Sequence, residues 1–134
     1  MHFVPEDLPV VFAAAGICTR EQALGELDVS YELLPAGLDL APLFKGLPDD
    51  LCQCAHWGYL LRGRVRVKYK EGEDLIQAGE CFYMPPGHLP VFEQDSQWII
   101  FSPRGAHRLT AEAVRRNWAA LAQSTESRGI DGAE

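Results

Sequence analysis

Cys52-Gln53-Cys54-Ala55-His56-Trp57-Gly58-Tyr59-Leu60-Leu61-Arg62-Gly63, and further along Gly79-Glu80-Cys81-Phe82-Tyr83-Met84-Pro85-Pro86-Gly87-His88, are the two stretches on which the fold turns. His56 to Leu61 is a short apolar run, and Gly63 breaks it. Arg64 to Lys70 alternates strictly, with Val65, Val67 and Tyr69 on one side and Arg64, Arg66 and Lys68 on the other. Period two marks a half-buried strand. Glu71-Gly72 is a hairpin turn, and Asp74 to Ala78 is the return strand. Cys81 to Met84 is a further strand, after which Pro85-Pro86-Gly87 forces a turn. Val91 to Glu93 and Gln97 to Ser102 are the last strands, and Pro103 and Gly105 end the sheet.

Upstream, Leu27 to Leu34 reads as a strand closed by Pro35-Ala36-Gly37, and Asp39 to Asp50 as loop. Nearer the start, Pro9 to Ala13 suits a strand and Arg20 to Leu24 a short turn of helix. Downstream, Thr110 to Ala122 reads as a helix with Thr110 as its N-cap. Its apolar stripe of Val114, Trp118 and Leu121 is expected against the outside of a barrel. Ser124 to Glu134 is polar and expected to fray. The chain thus divides into an arm over 1–26, a barrel over 27–103, and a helix with its tail over 104–134. Many short strands with regular turns and one terminal helix predict an all-β barrel or sandwich.

The whole sequence is 134 residues long, which suits one core. Its formal net charge of -7 lacks the basic footprint that nucleic acid requires, so no such partner is expected. No apolar run reaches the roughly 18 residues of a membrane span. Val10 to Cys18 follows Glu6 and Asp7 rather than basic residues, which is a poor secretory signal, so a cytoplasmic setting is expected. Disulfides are then not expected among Cys18, Cys52, Cys54 and Cys81.

On an extended strand, Cys52, Cys54 and His56 point to one face. Thiolates and neutral imidazoles are preferred ligands of zinc and of borderline metals generally. A flat strand would separate Cα52 from Cα56 by about 13 Å. Bonds of about 2.0 to 2.3 Å do not comfortably bridge that span, so a shared ion requires a bend near Ala55. An isolated Cys pair is more often two small buried hydrophobes, but the neighbouring imidazole favours ligands. Cys18 and Cys81 have no such neighbours and are expected in the core. His88, taken alone, reads as an exposed turn residue. His2 and His107 sit near a terminus or loop and are expected to do nothing.

His56-x6-Gly63 resembles the tail of the first cupin motif, and Gly79-x5-Pro85-x-Gly87 the opening of the second. The resemblance covers roughly residues 27–103 and is nearest to small bacterial cupins of unassigned function. It implies a cupin-type double-stranded β-helix, a jelly-roll barrel, with the C-terminal helix appended. His56 stands where that motif carries Glu, and Cys52 and Cys54 stand near its paired His. The final His of the pattern falls at Pro90; His88 lies two residues earlier, which on a strand is the same side. The implied metal ligands are therefore Cys52, Cys54, His56 and His88. Sulfur favours zinc over the iron or manganese common in cupins, with copper a further alternative.

Two functions follow from the resemblance. One is a metal-dependent enzyme on a small organic substrate, which needs an open coordination position. The other is a non-enzymatic metal-binding or ligand-sensing cupin with a saturated Cys/His site. No residue is singled out as catalytic; Glu32 and Glu93 are candidate acid–base groups near a cavity. Tyr31, Trp57, Tyr59, Tyr83, Phe92 and Trp98 are expected inside the barrel, as core or pocket lining. Arg62, Arg64, Arg66, Lys68 and Lys70 read as a solvated strand face. Family habit adds a homodimer.

Overall fold

The computed structural model describes residues 1–131, with side chains as far as Ser124. Nine strands form two antiparallel sheets. They are β1 (Val10–Ala14), β2 (Ile17–Leu24), β3 (Leu27–Leu34), β4 (His56–Arg62), β5 (Arg64–Tyr69), β6 (Gly72–Gln77), β7 (Cys81–Met84), β8 (His88–Phe92) and β9 (Ser96–Pro103). The larger sheet has the order β1-β2-β3-β9-β4-β7, and the smaller β6-β5-β8. Between β3 and β4 lie two short 3-10 turns, Ala41–Phe44 and Pro48–Asp50. Among the described residues the last element is a helix, α1 (Arg104–Asp131). An all-β barrel with a C-terminal helix is what the alternation predicted.

The core lies between the sheets and follows period two. Val65 and Val67 of β5 are buried while Arg64, Arg66 and Lys68 face outward. In β9 every second residue is buried: Ser96, Trp98, Ile100 and Ser102. Leu60, Met84, Phe92, Ile76 and Leu34 complete this layer. Two glycines make room for close backbone contacts. A Cβ on Gly58 would lie 2.5 Å from the Ile99 carbonyl oxygen and 2.6 Å from Phe82 Cζ. Gly63 takes φ +96° at the corner where the chain leaves β4 for β5, and a Cβ there would meet Asp95 O at 2.7 Å.

Several local expectations are corrected. Arg20–Leu24 belongs to strand β2, not to a helical turn, because it pairs along its length with β3. Helix α1 begins at Arg104, before Thr110. Arg104 is tied to the β2–β3 turn through the carbonyls of Gly25 and Leu27 and through Asp28, and these contacts override the break expected at Gly105. The helix runs to Asp131, past the predicted end at Ala122, so the tail expected to fray is helical that far. Residues 132–134 of that tail lie outside the described residues. The helix does not lie outside the barrel: Val114 and Trp118 pack with Leu43, Phe44, Cys52 and Cys54 across its open end. Leu121, the third residue of the expected stripe, is exposed.

Alternation also corrects two sets of buried residues. Cys81 is exposed, because it stands on the outer face of edge strand β7, where Phe82 and Met84 point inward, and Cys18 on β2 is half-buried. Trp57, Tyr59 and Tyr83 likewise point outward and are exposed. Tyr31 is buried, but on the outer face of the large sheet, with Leu8, Val29 and the partly buried Phe3. The basic strand face is solvated as expected: Arg64 and Arg66 pair with Glu93 at 3.0 and 3.3 Å.

Candidate metal centre and cavity

The bend required near Ala55 exists, and sheet topology makes it. Cys52 is outside any strand, yet it bridges to His88 of the smaller sheet. Its N–H donates to His88 O at 3.0 Å, and its carbonyl accepts from Gly87 N–H at 2.7 Å. Four residues later His56 opens β4 and pairs with Met84 in the larger sheet. The chain therefore crosses from one sheet to the other between positions 52 and 56. That crossing shortens the flat-strand span: Cys52 Sγ lies 3.7 Å from His56 Nε2.

His88 opens β8, with His88, Pro90 and Phe92 all inward. One ligand atom from each of Cys52, His56 and His88 lies within 4.8 Å of the other two, and all three residues are buried. Cys54 is not one of this group. Its thiol reaches the Ala55 carbonyl at 3.4 Å.

The imidazoles are held from behind. His88 Nδ1 lies 2.6 Å from the Pro85 carbonyl, which can only accept, so Nδ1 carries the proton and Nε2 presents its lone pair. The Pro-Pro-Gly turn sets that tautomer. His56 Nδ1 lies 2.7 Å from Ser102 Oγ, with Nε2 toward Cys52. Such outer contacts are what orient metal-binding histidines. Burial lowers both imidazoles, His56 to about 3, so they are neutral at physiological pH. Burial raises the Cys52 thiol, which keeps its proton until a cation displaces it. Burial also pushes Cys54 up to about 12, with the neighbouring Cys52 adding to the rise.

The donor set fits a zinc-like ion. Bonds of about 2.3 Å to sulfur and 2.0–2.1 Å to nitrogen at tetrahedral angles place ligand atoms about 3.5 Å apart. The observed 3.7 Å between Cys52 sulfur and His56 nitrogen is close to that value. Three protein ligands leave one tetrahedral position over.

Cys52, His56 and His88 line a cavity of about 400 Å³ between the sheets and helix α1. That is within the usual range for small-molecule sites. Its walls are mainly apolar, including Phe12, Phe92, Trp98 and Trp118. Of the aromatics expected inside, Phe92 and Trp98 are there. Of the two expected carboxylates, Glu32 is there, accepting from Thr19 Oγ1 at 2.7 Å and Trp98 Nε1 at 3.0 Å. Glu93 is not: it sits outside the barrel on Arg64 and Arg66.

His107, expected to be idle, also lines the cavity, with Glu21 and Thr110. The missed signal is helical. His107, Ala111, Val114 and Trp118 follow i, i+4, i+7 and i+11, so the apolar stripe of α1 runs back to His107 once the helix starts at Arg104.

No protein-family model matches the chain, and no curated protein matches it in sequence. Solved structures do match. An RmlC-like cupin from Shewanella frigidimarina aligns at 18% identity over 75% of this chain and 88% of its own, with a TM-score of 0.53. A protein of unknown function from Rhizobium leguminosarum aligns at 17% identity over 76% of this chain and 94% of its own, with a TM-score of 0.56. A deletion mutant of oxalate decarboxylase from Bacillus subtilis aligns at 20% identity and a TM-score of 0.55, over 75% of this chain but only 28% of its own. At these identities the likeness is one of fold, and with the two sheets and their order it makes this chain a small protein with the cupin fold.

Proposed function

We propose that the protein binds one divalent metal ion, zinc foremost, through Cys52, His56 and His88, and acts as an enzyme on a small organic molecule held in the adjoining cavity. The observation that carries this reading is the meeting of a thiol and two imidazoles, each held by an outer hydrogen bond, within 4.8 Å of one another on the wall of that cavity. A bound zinc would polarise a ligand oxygen as a Lewis acid. The chain's own residues do the rest. Pro85 and Ser102 orient the imidazoles, and Phe92, Trp98 and Trp118 hold an apolar body.

A saturated, non-enzymatic site needs a fourth protein ligand. Cys54 is the nearest candidate in sequence, and its thiol faces the Ala55 carbonyl instead. Four free cysteines suit the reducing compartment expected for the protein. Among the described residues no helix is long and apolar enough to cross a membrane. We include a homodimer in the same reading, with the exposed Trp57, Tyr59 and Tyr83 as its face.

Metal analysis of reduced, purified protein tests the proposal, together with the absorption spectrum of the cobalt-substituted form. About one metal per chain, with three protein ligands and an exchangeable fourth position, is expected. Absence of stoichiometric metal under reducing conditions overturns the site, and four protein ligands overturn the enzyme.

A further inference from the structure

We propose that His107 is the proton-transfer residue of this cavity, held for that task by Asp28; the inference rests on the reading of Cys52, His56 and His88 as the metal centre. Asp28 is 3% exposed. Its Oδ2 accepts from His107 Nδ1 at 2.9 Å, and its Oδ1 accepts from Arg104 Nε at 3.2 Å. Burial raises the Asp28 carboxyl, but the hydrogen bonds and charges of His107 and Arg104 outweigh burial and hold it below its ordinary value. With Nδ1 committed to a carboxylate, Nε2 is the nitrogen left for a ligand. The nearest acidic oxygen to it is Glu21 Oε2 at 3.6 Å, beyond hydrogen-bond length.

Helix geometry puts this imidazole beside the metal centre. Thr110, three residues on, shares a face with His107. Its Oγ1 lies 3.9 Å from Cys52 Sγ. His107 and the three ligands line the same cavity. The charged or titratable groups facing His107 are Glu21 from β2, Asp28 from β3, Arg104 from its own helix and His56 from β4.

Glu21, Asp28 and His107 also lie close enough to hold a cation themselves. The contacts oppose that use. Both Asp28 oxygens already accept from donors, one of them a guanidinium that repels a cation.

In the step, an acidic O–H or N–H bond of the ligand breaks. Its proton goes to the lone pair of His107 Nε2, and its electron pair stays on the ligand atom turned toward the metal centre. Nothing is oxidised or reduced. The imidazolium keeps its Nδ1–H on Asp28, whose carboxylate offsets the new charge. Return of the proton resets the site.

The test uses zinc-loaded full-length protein and benzohydroxamic acid, a zinc chelator with an acidic proton and an apolar ring. Calorimetry in buffers of different ionisation enthalpy counts the protons released on binding. Wild type is expected to release almost none. His107→Gln is expected to release about one, and to bind about tenfold more weakly with unchanged zinc content. In wild type, the nitrogen-15 spectrum of His107 is expected to gain a second ring proton on binding, which needs no variant. A full proton released by wild type, or an unchanged His107 spectrum, overturns the proposal alone. Zinc bound without hydroxamate binding at millimolar concentration also overturns it, because no ligand then reaches both groups. Absence of zinc before any ligand is added marks failure of the metal reading instead.

Discussion

Cys52 and His88 are joined backbone to backbone as an isolated antiparallel bridge, with Cys52 N–H donating to His88 O at 3.0 Å. The bridge fixes a thiol and an imidazole from distant parts of the chain before any side chain is considered. His56 joins them only because the chain then crosses to the other sheet. Metal retention should follow this geometry. Cys52→Ser, His56→Ala and His88→Ala should each lose the ion on dialysis. Their loss of affinity should exceed the ten- to hundredfold that removal of an outer hydrogen bond costs. Cys54→Ser and Cys18→Ser should keep one metal per chain. Elemental analysis after dialysis decides, and equal retention across the set would contradict the assignment.

Ser102 is fully buried, and its Oγ lies 2.7 Å from His56 Nδ1, on the ring side away from Cys52. Ser102→Ala leaves all three ligands in place but frees the His56 ring to turn. Zinc affinity, measured by competition with a chelator, should fall between ten- and a hundredfold while the far-ultraviolet circular dichroism is unchanged. An unaltered affinity would mean that packing alone orients His56.

Strands such as β5 and β9 were legible because burial in them follows period two, as at Val65 and Val67. Gly63 was legible as the break after an apolar run, and it takes φ +96° where the chain leaves β4. What was not legible depends on contacts between distant segments. Arg104 starts α1 by binding the β2–β3 turn, and no local signal at Gly105 reports that. His107 becomes a cavity residue only through that early start. Trp57, Tyr59 and Tyr83 alternate with inward residues, but aromatic content alone does not say which parity faces in. Cys54 shared parity with Cys52 and His56 only on an ideal strand, and residues 52 to 55 do not form one.

Acid should weaken the metal-free protein earlier than its carboxylates alone require. His56 and His88 are both lowered by burial, His56 to about 3. A folded-state value below the unfolded one, about 6.5, means that the unfolded chain binds more protons. The stability these neutral rings allow is fully present above about pH 6.5 and is lost as pH falls toward their folded values. The slope is at most about 1.4 kcal/mol per pH unit for each ring. Asp28, held low, adds its own loss only below about pH 4. Urea unfolding of metal-free protein at pH 7, 6 and 5 should show the midpoint falling at each step. A flat midpoint over that range would show that the rings are not buried neutral.

Gly58 should tolerate no side chain. Its missing Cβ leaves room for the Ile99 carbonyl of β9 and the Phe82 ring of β7, on the two strands that flank β4. The ring could shift, but the carbonyl belongs to the β4–β9 ladder and cannot move without breaking it. Gly58→Ala should therefore cost at least the roughly 1–3 kcal/mol of ordinary overpacking. Thermal unfolding should fall by several degrees or more.

The outer face of the same strand tests the homodimer. Trp57 stacks on Tyr83 with ring centroids 5.1 Å apart, yet the two remain 47% and 51% exposed. Tyr59, 40% exposed, continues the patch beside edge strand β7. Aromatic residues half open to water on a sheet edge are the composition of an interface centre. Replacing Trp57 and Tyr83 together by Ser should shift the sedimentation coefficient from dimer to monomer at micromolar concentration. The metal content should not change, because these side chains point away from Cys52, His56 and His88. A wild-type protein already monomeric at that concentration would remove the dimer from the reading and leave the metal centre untouched.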